Sequence, residues 1–211
     1  MAKVISIGNQ SFESMRERDN FYVDKTSFIK EWWENEDIVT LITRPRRFGK
    51  TLNMNMLECF FSNKYKDRGD LFEGLDIWKE EKYRKLQGTY PVIFLSFAGI
   101  KQTGYNQAII MIKKEITDVY NRYDYIMKSD LYNDNERAQF KSVCIDMNDE
   151  IAQSAVNDLA NYLSRYYGKK VIILLDEYDT PMQEAYVNGY WNELVAFTRS
   201  FFNSTFKTNP Y

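Results

Sequence analysis

The fold is decided by an apolar run that ends in carboxylates, Val171-Ile-Ile-Leu-Leu-Asp-Glu-Tyr-Asp179. Five consecutive apolar residues are typical of a strand buried in a parallel sheet, and ligands bind beyond the carboxyl ends of such strands. We therefore expect Asp176 and Glu177 to lie at the carboxyl end of a strand. The alternative is an acidic turn that only keeps the end of that strand solvated.

A second stretch, Thr43-Arg-Pro-Arg-Arg-Phe-Gly-Lys-Thr51, matches most of the phosphate-loop pattern G-x-x-x-x-G-K-[ST]. Gly49, Lys50 and Thr51 fit the pattern, whereas Arg44 stands at the position of its first glycine. The β-branched run at 38–42 predicts a strand before the loop, and apolar spacing predicts a helix that begins near Gly49. The loop is therefore expected between a strand and a helix.

Apolar spacing predicts further elements on both sides of these two stretches. Residues 91–97 indicate a second buried strand, and Asp24 is expected to cap a helix over 25–34. Gly168 is expected to end a helix in a left-handed turn. Three- and four-residue spacing predicts four helix faces: Leu52, Met56, Cys59 and Phe60; Ile109, Ile112, Ile116, Val119 and Tyr123; Ile151, Ala155, Leu159, Leu163 and Tyr166; and Trp191, Leu194, Val195, Thr198, Phe201 and Phe202. This alternation predicts an α/β fold, a parallel sheet with helices on both faces.

Composition restricts the chemistry that the chain can perform. Its 211 residues are 44% hydrophobic and 27% charged, which predicts one compact domain over 1–211 with 1–36 as its lead-in segment. The chain has no histidine, so Ser-His-Asp and Cys-His nucleophile systems and His-ligated metals are excluded within it. Cys59 and Cys144 lack metal-site or redox spacing, and both are expected to be buried thiols.

Charge and hydropathy give expectations about location and partners. A net charge of −2 opposes direct nucleic-acid binding, although the loop itself carries Arg44, Arg46, Arg47 and Lys50. No apolar run reaches the length of a membrane span, and the first residues lack a secretory pattern. We therefore expect a cytoplasmic protein without membrane contact.

The two stretches together predict a nucleoside triphosphate site that holds ATP and Mg²⁺. Lys50 is expected to contact the β- and γ-phosphates, Thr51 and Asp176 to hold Mg²⁺, and Glu177 to act as a general base. For Gly49-Lys50-Thr51 taken alone, the simple start of a helix is the alternative. For the arginines, solvent exposure or contact with a partner protein is the alternative. The candidate phosphate-binding residues are Arg46, Arg47, Phe48, Gly49, Lys50, Thr51 and Leu52.

Four motifs in this order resemble the bacterial AAA-ATPase-like domain family. They are Phe21-Tyr-Val-Asp-Lys-Thr-Ser-Phe-Ile29, the arginine-rich loop, Leu71-Phe-Glu-Gly-Leu-Asp-Ile77, and Leu175-Asp-Glu-Tyr-Asp179. The resemblance implies a P-loop NTPase-like fold, with Lys50 and Thr51 at the Walker A positions and Asp176 and Glu177 at the Walker B positions. It also implies that Arg44 belongs to a variant of the loop. Longer members usually carry a nuclease-like region of the PD-(D/E)XK type.

The resemblance also predicts an incomplete sheet, because the strand that senses the γ-phosphate normally follows the helix after Asp176. We expect either a sheet incomplete at its C-terminal side or a substitute strand at 4–7. The leading functional hypothesis is an ATP-binding domain, with Mg²⁺-dependent and weak hydrolysis, that regulates a partner or a nuclease-like region. Competing hypotheses are a non-catalytic protein-interaction module with a vestigial loop and, ranked lowest, a phosphotransferase.

Overall fold

The computed structural model describes residues 3–43 and 48–211. The chain divides into two compact units, Met1–Val92 and Ile93–Tyr211. The residues of the predicted phosphate loop and the residues of the predicted carboxylate pair fall in different units.

The first unit is helical and has an aromatic core. Phe12 lies 5.1 Å from Phe72 between ring centroids, and Phe60 lies 5.1 Å from the same ring. Trp33 stacks on Phe61 with ring centroids 5.4 Å apart. The helices are α1 (Phe12–Glu17), α2 (Ser27–Asn35), α3 (Lys50–Phe61) and α4 (Glu81–Leu86), with 3-10 turns at Asn63–Tyr65, Gly69–Phe72 and Asp76–Lys79.

The second unit contains a two-stranded parallel sheet and five helices among the described residues. Strand β1 pairs with strand β2, and the apolar faces of the long helices contribute to one buried cluster with Ile93 and Leu95. The elements are β1 (Val92–Ser96, beginning at the boundary), α5 (Tyr105–Arg122), a 3-10 turn (Asp124–Lys128), α6 (Asp134–Ser142), α7 (Asp149–Tyr167), β2 (Ile172–Asp176), α8 (Thr180–Asn188), α9 (Trp191–Phe202) and a π turn (Asn203–Lys207).

Most of the predicted elements are confirmed. The two apolar runs form β1 and β2, and the four predicted helix faces lie on α3, α5, α7 and α9. Gly168 follows α7 with a φ of 63°, the left-handed conformation expected there. The fold is α/β with mostly helices, and the parallel sheet has two strands among the described residues.

The predicted strand at 38–42 is wrong. These residues form no strand, and the side chains of Ile38 and Leu41 are 92% and 64% exposed. A β-branched run becomes a strand only when a neighbouring strand accepts its backbone hydrogen bonds and covers one face. The substitute strand at 4–7 is not formed either, and Ile7 is 95% exposed.

Two smaller predictions are also corrected. Cys59 is buried, whereas Cys144 is exposed in a short connection between α6 and α7. Asp24 does not cap the first turn of α2, which begins at Ser27 after Thr26. Its carboxylate instead accepts hydrogen bonds that join two distant segments, as described below. No helix in residues 3–43 or 48–211 is long and apolar enough to cross a membrane.

Candidate functional site

A glycine in a left-handed conformation directly precedes α3. Gly49 has φ 74° and ψ 24°, which a residue with a side chain adopts only at a cost. Being a glycine, it has no side chain that could accept a hydrogen bond from the first turn, and that turn contains no acidic residue. The positive end of the helix dipole is therefore offset neither by a capping side chain of Gly49 nor by an acidic residue of the first turn.

Four of the candidate phosphate-binding residues, Phe48 to Thr51 with Gly49 as the residue before the helix, lie at the start of α3, although no strand is formed at 38–42. Lys50 is the first residue of α3, and Thr51 and Leu52 follow it half-buried. Phe48 is 58% exposed in the bend before the helix. Arg44, Arg46 and Arg47 lie outside the described residues.

A lysine that the sequence reasoning did not assign lies beside this helix start. A Cβ built on Gly49 would lie 3.8 Å from the Nζ of Lys25. The Lys25 ammonium group therefore lies on the side of Gly49 from which a side chain at that position would project. Lys25 belongs to the Phe21–Ile29 motif. This motif supports the family resemblance, but the sequence alone assigns it no chemical role.

The backbone on both sides of Lys25 is held by hydrogen bonds to a distant segment. Asp24 Oδ1 accepts from the amide of Thr26 at 2.8 Å and from its hydroxyl at 2.7 Å. Asp24 Oδ2 accepts from the Asp76 amide at 2.7 Å, and Thr26 Oγ1 accepts from the Ile77 amide at 3.1 Å. Thr26 is fully buried. Two of the motifs that carry the resemblance are thus joined directly.

The ionisation of Asp24 agrees with this role. Partial burial alone would raise the pKa of the Asp24 carboxyl, but hydrogen bonds donated by Thr26 and Asp76 outweigh burial and leave the pKa below its usual value. The carboxylate form is therefore the one that the folded unit stabilises.

Further hydrogen bonds attach the 71–77 motif to α1 and the 21–29 motif to α3. Arg16 donates from Nε to the Leu71 carbonyl at 2.6 Å and from Nη2 to the Glu73 carbonyl at 2.7 Å. Tyr22 donates its hydroxyl to Met56 Sδ on α3 at 3.2 Å, and burial raises the pKa of this phenol to about 12. The segment that carries Lys25 is therefore anchored to α3 as well.

The predicted carboxylate pair lies at the end of β2. Asp176 is the last residue of the strand and is 4% exposed. Its carbonyl accepts a hydrogen bond at 3.0 Å from the amide of Phe97, which directly follows β1. The carboxyl ends of both parallel strands therefore meet at Asp176, as the sequence predicts.

Glu177 has an unusual backbone that the sequence did not reveal. Its φ of 51° is left-handed, which costs about 1–2 kcal/mol for a residue with a Cβ. The Glu177 carbonyl accepts from the Thr180 amide at 3.0 Å, and its Oε2 accepts from the Thr180 hydroxyl at 3.3 Å. Asp179 directly precedes α8, and its Oδ2 accepts from Gln183 Nε2 at 2.7 Å.

The donor groups suit Mg²⁺ in combination with a polyphosphate. Mg²⁺ prefers oxygen ligands, keeps several waters, and takes one or two carboxylates together with substrate phosphates. The buried carboxylate of Asp176 and the hydroxyl of Thr51 are oxygen donors of this kind. Within residues 3–43 and 48–211, no three or more Cys, Asp or Glu side chains form a metal-binding group.

Comparison with known proteins gives two matches. The sequence model of a protein family described as Predicted AAA-ATPase matches residues 6–211. The chain is also 28% identical over 182 residues to the "Uncharacterized protein in vnfD 5'region" of Azotobacter chroococcum mcd 1. That match covers 85% of this chain, which spans about 30% of the length of the relative. No solved structure matches the chain.

Proposed function

The chain belongs to the predicted AAA-ATPase-like family, and from that premise we propose that it binds ATP with Mg²⁺ and hydrolyses it weakly. The fold proposed for this function is of the P-loop NTPase type. Its location is proposed to be cytoplasmic.

The observation that carries this proposal is the start of α3. Gly49 has a left-handed backbone and no side chain to cap the helix, the first helical turn has no acidic residue, and Lys50 and Thr51 follow at once. Such a helix start offers amide donors and a positive dipole to an anion. Joined to the loop sequence Arg-Pro-Arg-Arg-Phe-Gly-Lys-Thr, it supports phosphate binding over a simple helix start.

Each candidate residue has a role in this proposal. The amides of Phe48, Gly49, Thr51 and Leu52 donate to phosphate oxygens, and the Lys50 ammonium neutralises the β- and γ-phosphates. Arg46 and Arg47 add charge-assisted contacts from the loop.

The carboxylates at the end of β2 complete the proposed chemistry. Asp176 and the Thr51 hydroxyl would hold Mg²⁺, which would supply positive charge to offset that of the phosphates. Glu177 would orient the attacking water and accept its proton as the water oxygen bonds to the γ-phosphorus and the bond from that phosphorus to the bridging oxygen breaks, with ADP as the leaving group. The left-handed backbone of Glu177 supports this role, because strained residues cluster at active sites.

Isothermal titration with MgATP tests nucleotide binding. The wild-type protein is expected to bind, and Lys50→Ala is expected to weaken binding about tenfold or more, because a charge-assisted contact is lost. Lys66→Ala is the matched control, since Lys66 is an exposed lysine of the same unit. No binding heat from folded wild-type protein, or equal affinity of wild type and Lys50→Ala, would overturn the proposal.

Hydrolysis requires a separate measurement. Steady-state release of ADP is expected from the wild type and is expected to be lost in Glu177→Gln, whose side chain cannot accept the proton from water. Binding of MgATP should stay unchanged in that variant. Equal ADP release by both proteins would remove Glu177 from the mechanism without affecting the binding proposal.

We further propose that the nucleotide state governs contact with a protein partner or with a nuclease-like region. The chain spans about 30% of the length of its relative, so most of that longer protein lies outside the matched part. A ligand can shift such a contact only if it binds one state more tightly than the other. MgATP should therefore change the affinity of the chain for the partner, and the partner should change the affinity of the chain for MgATP by the same factor.

A second candidate function is a protein-interaction module that does not use nucleotide. It is favoured by large apolar side chains exposed in the first unit, at Ile7, Ile38 and Leu41. This function predicts that MgATP leaves the thermal unfolding temperature of the folded chain unchanged. Nucleotide binding instead predicts an upward shift that grows with MgATP concentration.

A further inference from the structure

The most informative group outside the predicted site is the ammonium of Lys25. We propose that Lys25 is a second phosphate-contacting lysine of the site at the start of α3, supplied by the segment upstream of the loop. This inference rests on the proposed function, since it adds a residue to the same nucleotide site. Its ligand is the polyphosphate group.

Lys25 lies close to the start of α3. Its Nζ is 3.8 Å from the position of a Cβ on Gly49, the residue that directly precedes the helix. Lys50 follows Gly49 directly in the chain. Two lysines thus belong to one helix start, where a single bound polyphosphate offers several anionic oxygens.

Within residues 3–43 and 48–211, the charge of Lys25 is not balanced in the way that the charges of neighbouring lysines are. In the same unit, Lys30 pairs with Glu80 at 2.7 Å and Lys82 pairs with Glu34 at 2.7 Å. Among the described residues, the Lys25 ammonium forms no ion pair with a carboxylate. It lies instead at the positive end of the α3 dipole, which opposes a cation. An anion at this position would turn an unfavourable arrangement into a favourable one.

The backbone that carries Lys25 is held in place on both sides. The hydrogen bonds of Asp24 and Thr26 fix the backbone on each side of Lys25 and bind it to Asp76 and Ile77. A lysine that only solvates the surface needs no such support, because its side chain is flexible and strongly hydrated. A fixed backbone reduces the ordering cost when the ammonium contacts a ligand.

The experiment compares four variants by titration with MgATP and with inorganic tripolyphosphate. Lys25→Met is expected to weaken the affinity for both ligands about tenfold, because one charge-assisted contact is lost. Lys25→Arg should recover part of that loss, since it keeps the charge. Lys50→Met should also weaken binding, whereas the charge-matched control Lys66→Met should leave it unchanged.

Thermal unfolding without ligand separates binding from a structural role. Lys25→Met is expected to unfold at the wild-type temperature or slightly above it, because removing a cation relieves repulsion at the helix end. A lower unfolding temperature, or failure to fold, would assign Lys25 to the structure and overturn the inference.

The failures of the two proposals are distinguishable. If the wild type binds neither ligand, the proposed function itself fails. If the wild type binds and Lys50→Met weakens binding, but Lys25→Met behaves as Lys66→Met does, only the role of Lys25 is overturned.

Discussion

Helices α3 and α7 begin in opposite ways, although both are long amphipathic helices of this chain. Before α7, Asn148 accepts a hydrogen bond from the Ile151 amide at 2.8 Å, and Asp149 and Glu150 lie in the first turn. Before α3, Gly49 has no side-chain acceptor, the first turn has no acidic residue, and Lys25 and Lys50 carry positive charge beside it.

The difference contrasts a helix start stabilised from within the chain with one for which we propose an external ligand. At α7, a capping side chain and acidic residues in the first turn satisfy a free amide and the dipole. At α3, Gly49 provides no cap, the first turn has no acidic residue, and Lys25 and Lys50 add positive charge, so an external anion would stabilise this helix start. Substitutions at Thr26, Gly49, Asn148 and Asp24 test this contrast, and a substitution at Glu177 tests the carboxylate end of β2.

The largest expected effect comes from removing the hydroxyl that anchors the Lys25 segment. Thr26→Val keeps the shape of the fully buried side chain but leaves the Ile77 amide without its acceptor. Chemical denaturation should show a loss of about 2 kcal/mol in the free energy of unfolding. The exposed neighbour Ser27 provides the control, since Ser27→Ala should change stability by less than about 0.5 kcal/mol. Equal stability of Thr26→Val and wild type would contradict the anchor.

Gly49→Ala should destabilise the chain by about 1–2 kcal/mol, because alanine is strained at a φ of 74°. The same substitution should reduce the unfolding-temperature shift caused by MgATP, since the added Cβ approaches the Lys25 ammonium. Gly99→Ala is the control, because Gly99 has no positive φ and no atom near the added Cβ. A full MgATP shift in Gly49→Ala would place the nucleotide elsewhere.

At α7, the corresponding change should affect stability alone. Asn148→Ala removes the side chain that caps the first turn and should cost about 1 kcal/mol in chemical denaturation. The unfolding-temperature shift with MgATP should remain that of the wild type. If the shift disappeared, the two helix starts would not differ in the way proposed.

The carboxylate end of β2 provides a change with the opposite sign. Glu177→Gly removes the strain of a non-glycine residue in the left-handed region. Because glycine also loses more conformational entropy on folding, the free energy of unfolding should rise by only about 0.5 kcal/mol. ADP release should nevertheless be lost. The control is Glu36→Gly at a φ of 54°, which should stabilise similarly and retain ADP release. A destabilised Glu177→Gly would show that the side chain supports the fold.

The smallest effect is expected in the pH dependence of the Asp24 anchor. Because the pKa of Asp24 is lowered in the folded protein, its contribution is present above the unfolded value of about 4 and is lost as pH falls through the folded pKa. The stability difference between wild type and Asp24→Asn should therefore shrink between pH 6 and pH 3. The exposed Asp67→Asn is the control, and a constant difference for Asp24→Asn would exclude this linkage.

The sequence predicts the elements whose signal is local. The apolar runs of β1 and β2 and the spacing on α5 and α7 each specify an element from neighbouring residues, and all four are confirmed. Apolar spacing likewise predicts the start of α3 near Gly49, which directly precedes the helix. The run at 38–42 failed because a strand depends on a partner that the run itself does not specify.

The sequence does not reveal features that depend on distant contacts. Lys25 precedes Gly49 by many residues, and its place at α3 follows from hydrogen bonds between Asp24, Thr26 and the segment at 76–77. The backbone of Glu177 is likewise set by the return of the chain into α8. The roles of Asp176 and Glu177 in metal binding and catalysis stay predictions.

The hydrogen bond from Asp76 to Asp24 joins residues 52 positions apart. During synthesis on the ribosome, the phosphate loop therefore emerges well before the amides that hold the Lys25 segment. A nascent chain that ends before Asp76 already contains Gly49, Lys50 and Thr51, yet its Asp24 and Thr26 have no partners at 76–77. Lys25 can therefore be fixed beside Lys50 only late in the assembly of the first unit, after residues 76–77 have been synthesised.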